Sequence, residues 1–355
     1  KRRLSRGISR VEILVTSIVT LCTEEFIDSI EKIKAKKLFI ADECHNLGSE
    51  SFISNPPEIF DFRLGLSATP IRQYDQEGTD KLFSYFGETC FSYTLEEAIG
   101  NCLTEYDYYP HIIELNNHEI EDWRELSEKI RVLSFRQKDN ETNSAYENLL
   151  RQRRVILETA EGKISKLNKL LDKELEGELK YTLIYTTDKK PEQMEQVNQL
   201  LINKGIIFHR LTDEETSNRK NTEKILSTFQ KGEYKVLTAK RVLDEGVNIP
   251  QIKLAYILAS TTVKRQWIQR RGRLLRKCKD IDKTHAVIHD FVVLPASYKN
   301  KTEFRNFDND AKKIVKAELE RVWEFSRLAK NFYDPDGPSN IIEIMKDLTN
   351  DFGTN

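Results

Sequence analysis

The sequence predicts an α/β protein with two parallel-sheet domains, a helical linker and C-terminal helices. Three observations point there. Short apolar runs rich in β-formers alternate with helical patterns over residues 11–70 and again over residues 179–294, the signature of βαβ units. Between them, residues 116–177 are charged and helix-compatible. With 355 residues, 39% hydrophobic and 32% charged, the chain can bury about two ordinary cores.

In the first domain, residues 1–103, "VEILVTSIVTL" (11–21) and "KLFIADE" (37–43) are expected as strands, with a helix at Glu24 to Lys34 between them. "FRLGLSATP" (62–70) reads as a strand and turn. A polar turn with Asp75, Glu77 and Gly78 follows, then "CFSYTLEEAIG" (90–100). The aromatic strand "YDYYPHIIEL" (106–115) opens a connecting region, residues 104–178, whose helical pattern is interrupted by a loop at "QKDNETNSA" (137–145).

The second domain, residues 179–295, offers five strands: "LKYTLIYTT", "GIIFHRLT", "YKVLTAKRVLDEGVNIP", "KLAYILAS" and "HAVIHDFVVL", with a helix around Lys220 to Lys231. In the tail, residues 296–355, the stretch Asp310 to Phe332 places Ile314, Val315, Leu319, Val322, Trp323, Phe325 and Leu328 near helical spacing. A helix packed on the second domain is expected there.

The 56 basic and 57 acidic side chains nearly cancel, so a polyanionic partner would need a local groove. Cys22, Cys44, Cys90, Cys102 and Cys278 are odd in number, scattered and without a CxxC pair, which supports neither a disulfide framework nor an ordinary zinc site. A reducing, intracellular setting is expected, the cytoplasm in a prokaryote. No membrane association is expected, since no apolar stretch approaches the ~20 residues that cross a bilayer and no secretion signal opens the sequence.

The chemistry gathers at strand ends. In a parallel sheet, residues just past the carboxyl ends of strands line the ligand crevice, and Asp42 and Glu43 fall there. One such carboxylate can hold hydrated magnesium while its neighbour orients or deprotonates the water that attacks a γ-phosphate. A solvated strand end is the plain alternative. Ser67 and Thr69, on a neighbouring strand end, can hydrogen-bond to His45 or the carboxylates, although a small-residue turn also explains them. In "QWIQRRGRLLR" (266–276), Arg270, Arg273 and Arg276 recur every three residues, so one helical face can present several guanidinium groups to a phosphate.

In order along the chain, "DECH", "SATP", "LIYTT", "VLTAKRVLDEGVNIP" and "QRRGRLLR" resemble motifs II to VI of superfamily 2 helicases and translocases. The resemblance covers about Val11 to Leu294 and looks closer to DEAD/DEAH-type DNA translocases than to RNA-specific relatives. It implies two RecA-like domains, the first incomplete, that bind ATP with Mg2+ in their cleft and hold a nucleic-acid strand, with DNA favoured over RNA. By motif, Asp42 would bind the metal, Glu43 would be the catalytic base, and His45 would couple the ATP site to Ser67 and Thr69. Gln269, Arg273 and Arg276 would face the γ-phosphate, with Arg273 or Arg276 as arginine finger. Gly246 would allow close backbone approach, and Asn248 would stand near the ribose. Thr186, Thr212 and Thr238 would touch the nucleic-acid backbone; ordinary β-propensity explains threonine there equally well.

One part of the pattern is missing. ATP sites of this class use a Gly-rich loop ending in Gly-Lys-Ser/Thr, and "EGKIS" (161–165) lacks both the earlier glycine and the hydroxyl after lysine. The expectation is a fragment whose phosphate loop lies in a preceding segment or a complementing chain. The competing class is a non-catalytic nucleic-acid-binding or scaffold subunit that keeps a helicase fold.

Overall fold

A computed structural model describes residues 11–48, 50–72, 75–134, 140–187, 189–212, 218–240, 248–259, 264–294 and 309–350. The chain divides into two units, Lys1–Tyr93 and Thr94–Asn355.

In the first unit, strands β1 (Leu38–Ala41) and β2 (Phe62–Gly65) pair in parallel, with Ala41 opposite Gly65. Helices α1 (Ile18–Leu21), α2 (Glu24–Glu31), α3 (Glu50–Ile53) and α4 (Gln76–Phe86) accompany them. Leu21, Ala41, Cys44, Leu47, Phe52 and Leu82 form the core. The alternate side chains of the strands, Leu38, Ile40, Phe62 and Leu64, are exposed. Asp75 caps α4 by accepting the Gly78 N–H at 2.8 Å. A Cβ on Gly78 would stand 2.4 Å from the Asp75 carboxylate, so a larger residue there would displace the cap.

The expected strand at 11–21 is not formed. Residues 11–17 have no regular structure, and Ser17 caps α1 by accepting the Thr20 N–H at 3.2 Å. Val11, Ile13, Leu14 and Val15 are exposed. β-propensity reflects packing on a sheet, and no described strand pairs with this run.

In the second unit, α5 (Leu95–Ala98) precedes β3 (Glu105–Glu114), followed by α6 (Asn117–Ser134), α7 (Asn140–Glu158) and α8 (Gly162–Leu175). Then β4 (Thr182–Tyr185), α9 (Pro191–Asn203), β5 (Phe208–Leu211), α10 (Arg219–Gln230), β6 (Val236–Ala239), β7 (Leu254–Ile257), α11 (Lys264–Leu274), β8 (His285–Leu294), α12 (Asn309–Ser326) and α13 (Ser339–Asn350) complete it. Six parallel strands lie in the order β3-β8-β7-β4-β6-β5. All four residues of β4, β6 and β7 are buried. A sheet covered on both faces makes its strands read as continuous apolar runs, which is why all five expected strands are found.

The connecting region is not separate from this sheet. β3 pairs with β8 over ten residues, from Glu105 opposite His285 to Glu114 opposite Leu294. The free edge of β3 is met by the tail: Asn331 accepts the Tyr108 N–H at 2.9 Å and donates to its carbonyl at 3.1 Å. Val315, Val322 and Phe325 of α12 enter the core beneath Tyr106 and Tyr108, so the tail helix packs as expected. Of the loop expected at 137–145, residues 140–145 belong to α7 instead, and 137–139 lie outside the described residues. Among the described residues, no helix is long and apolar enough to cross a membrane.

Candidate functional site

In the first unit, the chain leaves β1 through Asp42 and Glu43 into a 3-10 turn, Cys44–Gly48. The Asp42 carboxylate is exposed and accepts the Glu43 N–H at 3.0 Å. Glu43 sits at φ +50°, a region that costs an L-residue on the order of 1 kcal/mol. The reversal aims the next turn inward. His45 is 2% exposed, with Nδ1 2.9 Å from Ser67 Oγ and 3.4 Å from Glu43 Oε2. A hydrogen on Nδ1 suits both neighbours, because a carboxylate only accepts. Ser67 Oγ also accepts the Thr69 N–H at 3.1 Å.

The two strand ends are stapled beyond the sheet, Leu66 N–H to Ala41 O at 2.8 Å and Cys44 N–H to Leu66 O at 2.9 Å. Glu43, His45, Ser67 and Thr69, though 22 or more positions apart across the pair, therefore form one connected group. Arg72 was not foreseen. Its guanidinium donates to the His45 carbonyl and, at 2.7 Å, to Asp75, tying the turn to the cap of α4. The Gly78 N–H, and then Arg72, hold the Asp75 carboxyl below its usual range. Nothing in the β/α alternation marks Arg72.

Among the described residues, no three His, Cys, Asp or Glu side chains are grouped to cage a metal. Asp42 with Glu43 instead offers hard oxygen donors at an open strand end. That donor set fits Mg2+, which is commonly held by one or two carboxylates together with substrate phosphates.

In the second unit, α11 carries the arginine run. Arg270 is buried, donating to Ala259 O at 3.2 Å and the Tyr185 hydroxyl at 2.8 Å, with its guanidinium 3.8 Å from the Tyr185 ring centroid. Arg271 is buried against α12, donating to the Glu324 carbonyl at 2.5 Å and its carboxylate at 3.2 Å. The expectation that Arg270, Arg273 and Arg276 share a helical face is thus corrected. A three-residue step drifts by about 60° around a helix, and α11 ends at Leu274, before Arg276. Gln269 and Arg273, four apart, share a side of α11 and are both half-buried. Arg276 is exposed and donates to Asn248 Oδ1 at 2.6 Å. Gly246 lies outside the described residues.

The threonines divide. Thr238 is fully buried, with its hydroxyl 3.0 Å from Asn198 Oδ1, and Thr186 is 1% exposed, donating to Ala239 O at 3.4 Å. Neither presents a hydroxyl to solvent, which corrects their assignment to a nucleic-acid surface: parallel-sheet burial claims both. Thr212, just past β5, is half-buried.

Also unforeseen is a polar cluster at the end of β4. Glu158 accepts from Thr187 at 2.9 Å, Lys189 at 2.6 Å and Arg154 at 2.7 Å. Burial alone would raise its carboxyl, but Lys189 and Arg154 outweigh it and hold it below the usual range.

Residues 162–278 match the helicase conserved C-terminal domain. The chain is 29% identical over 265 residues to the DNA 3'-5' translocase XPB2 of Sulfurisphaera tokodaii, a match covering 68% of this chain and 56% of that protein. It therefore spans about half the length of this relative. The Pyrococcus furiosus Hef helicase domain is similar at 16% identity and a TM-score of 0.49, covering 75% of this chain and 74% of its own. The SWI2/SNF2 ATPase core of Sulfolobus solfataricus, solved in complex with dsDNA, aligns at 11% identity and a TM-score of 0.44, covering 86% of this chain and 76% of its own.

Proposed function

We propose that this chain serves an ATP-driven helicase or translocase that acts on DNA inside the cell. The observation that carries the reading is the connected group Asp42, Glu43, His45, Ser67 and Thr69 at two adjacent strand ends. A scaffold has no physical need to bury an imidazole between a carboxylate and a serine at an open strand end. The name of the XPB2 relative supports DNA as the track.

ATP bound with Mg2+ would supply the transferable phosphoryl group. Asp42 would hold the ion through water, and Glu43 would orient and deprotonate the attacking water. His45, held by Ser67, would fix the Glu43 turn. Gln269, Arg273 and Arg276 would act from the second unit, the guanidinium groups offsetting charge on the transferring phosphate, while Asn248 would stand beside the ribose and Gly246 would permit close backbone approach. We assign the Gly-Lys-Ser/Thr loop, absent from the 355-residue sequence, to a segment or complementing chain outside it.

The test is ATP hydrolysis by the complete protein, with and without double-stranded DNA, single-stranded DNA and RNA, for wild type and Glu43→Gln. Stimulation by DNA is expected, with Glu43→Gln keeping nucleotide and DNA binding while losing turnover by on the order of 10²–10⁴. Normal turnover in Glu43→Gln removes the base assignment. The competing reading is a non-catalytic nucleic-acid-binding or scaffold subunit. Failure of hydrolysis with every polymer, despite an intact loop in the complete protein, moves that reading ahead.

A further inference from the structure

The second unit contains a cavity of about 340 Å³ bounded by α7, the first turn of α8, β8 and α12. No residue of the Asp-Glu-Cys-His turn or of the arginine helix lines it. Its wall is part apolar, from Leu150, Phe291 and Ile314, part acidic, from Glu158 and Glu318, and part cationic, with Arg153, Lys163 and Arg321 its buried cations. The three cations are each at most 3% exposed.

The charges are not equally balanced. Arg321 pairs with Asp290 and Glu318. Lys163 Nζ donates to the Glu158 and Leu258 carbonyls at 3.0 and 2.6 Å, and among the described residues no carboxylate lies within ion-pair distance of it. A buried ammonium held by neutral acceptors forfeits most of its solvation. Burial accordingly pushes Lys163 down to about 8, despite the pull of Glu158, Glu318 and Asp290 from α7, α12 and β8.

Joining two carbonyls does not by itself call for a charge. Gln193, a neutral donor, reaches the same Glu158 carbonyl at 2.7 Å. The charge of Lys163 is therefore surplus to the structural task, and it sits at the wall of a space large enough for a ligand. Ligand pockets begin at roughly 300 Å³ and combine an apolar lining with a few placed polar groups.

We propose that this cavity binds a small organic anion, a phosphate or carboxylate carried on an apolar body of single-ring size, with Lys163 as its charge partner. Leu150, Phe291 and Ile314 enclose the body, and Arg153, which donates to Ser127 at 3.0 Å and lies over the Trp123 ring, adds positive charge at the wall. The assignment is independent of ATP turnover, since the site shares no residue with the proposed hydrolytic group.

Calorimetric titration of the complete protein with phenyl phosphate tests it. Saturable one-to-one binding is expected, with uptake of protons at about pH 8, because the bound anion draws Lys163 to its charged form. Leu150→Trp, which fills the cavity from a half-buried position, should abolish binding without lowering the urea midpoint. Lys163→Met should weaken binding by about tenfold or more. If that variant does not fold, Lys313→Glu at the exposed rim should weaken it instead. Absence of saturable binding, equal affinity for inorganic phosphate, or affinity unchanged in Leu150→Trp overturns the proposal.

Discussion

Arg276 and Asn248 are joined by a 2.6 Å hydrogen bond from the guanidinium to the side-chain oxygen. The two come from separate sequence motifs, and both are exposed. An exposed pair of this kind contributes little to stability, so its value lies in holding the guanidinium in place. Arg276→Ala and Asn248→Ala should each change unfolding free energy by less than about 1 kcal/mol. If Arg276 meets the transferring phosphate, Arg276→Ala should lower ATP turnover of the complete protein by on the order of 10³, and Asn248→Ala by much less. Steady-state hydrolysis measured beside urea denaturation checks both, and full turnover in Arg276→Ala removes it from the site.

Gly65 faces Cys44 across the strand ends. A Cβ there would lie 3.0 Å from Cys44 Sγ and 3.1 Å from the Phe86 ring. Gly65→Ala should destabilise the first unit by about 1–3 kcal/mol through overpacking, and Cys44→Ala should restore part of that loss. Urea unfolding of the single and double variants measures the coupling. No rescue would place the strain elsewhere.

The buried cluster of Tyr108, Asp290 and Arg321 makes a sharper demand. Tyr108 donates to Asp290 at 2.7 Å, and Arg321 pairs with the same carboxylate. Arg321→Met leaves Asp290 uncompensated and should cost about 3–5 kcal/mol. Combining it with Asp290→Leu should cost less than the single change, because apolar groups need no partner. Chemical denaturation of both variants decides, and a worse double variant contradicts the argument.

His111 and His289 stack at 5.1 Å, with ring nitrogens 2.9 Å apart. Burial, aided for His289 by His111 and for both by Lys166, pushes each from its ordinary 6.5 down to about 3. The folded pKa lies below the unfolded one, so the unfolded chain binds more protons between these values. The contribution is complete above about pH 6.5 and is lost as pH falls toward 3. Stability should drop by on the order of 4 kcal/mol between pH 7 and 5, about half from each ring, and His289→Phe, which keeps a stacked ring, should reduce that slope by about half. Urea midpoints across the range provide the measurement, and an identical slope in the variant refutes the assignment.

Much of the fold was legible because it is written in runs. β4, β6 and β7 are buried on both faces, so each reads as an unbroken apolar segment whatever surrounds it. The acidic turn after β1 and the spacing of Ser67 from His45 were legible for a similar reason, since strand ends recur at regular intervals. The run at 11–21 has the same composition as a strand yet forms none, because β-propensity requires a paired neighbour. Arg270, Arg271, Thr186 and Thr238 look like surface groups by type. Their burial depends on Tyr185, Glu324, Ala239 and Asn198, all distant in sequence.

By itself, then, the sequence determined the parallel α/β class, five strands of the second sheet, and the order of the motifs, all of which depend on local periodicity and spacing. Only the tertiary structure decided that β3 closes the edge of that sheet, which arginines are spent on packing, and that Glu43, His45 and Ser67 meet. Those outcomes rest on which distant segments pack together, a matter of burial and hydrogen-bond satisfaction that no local window contains.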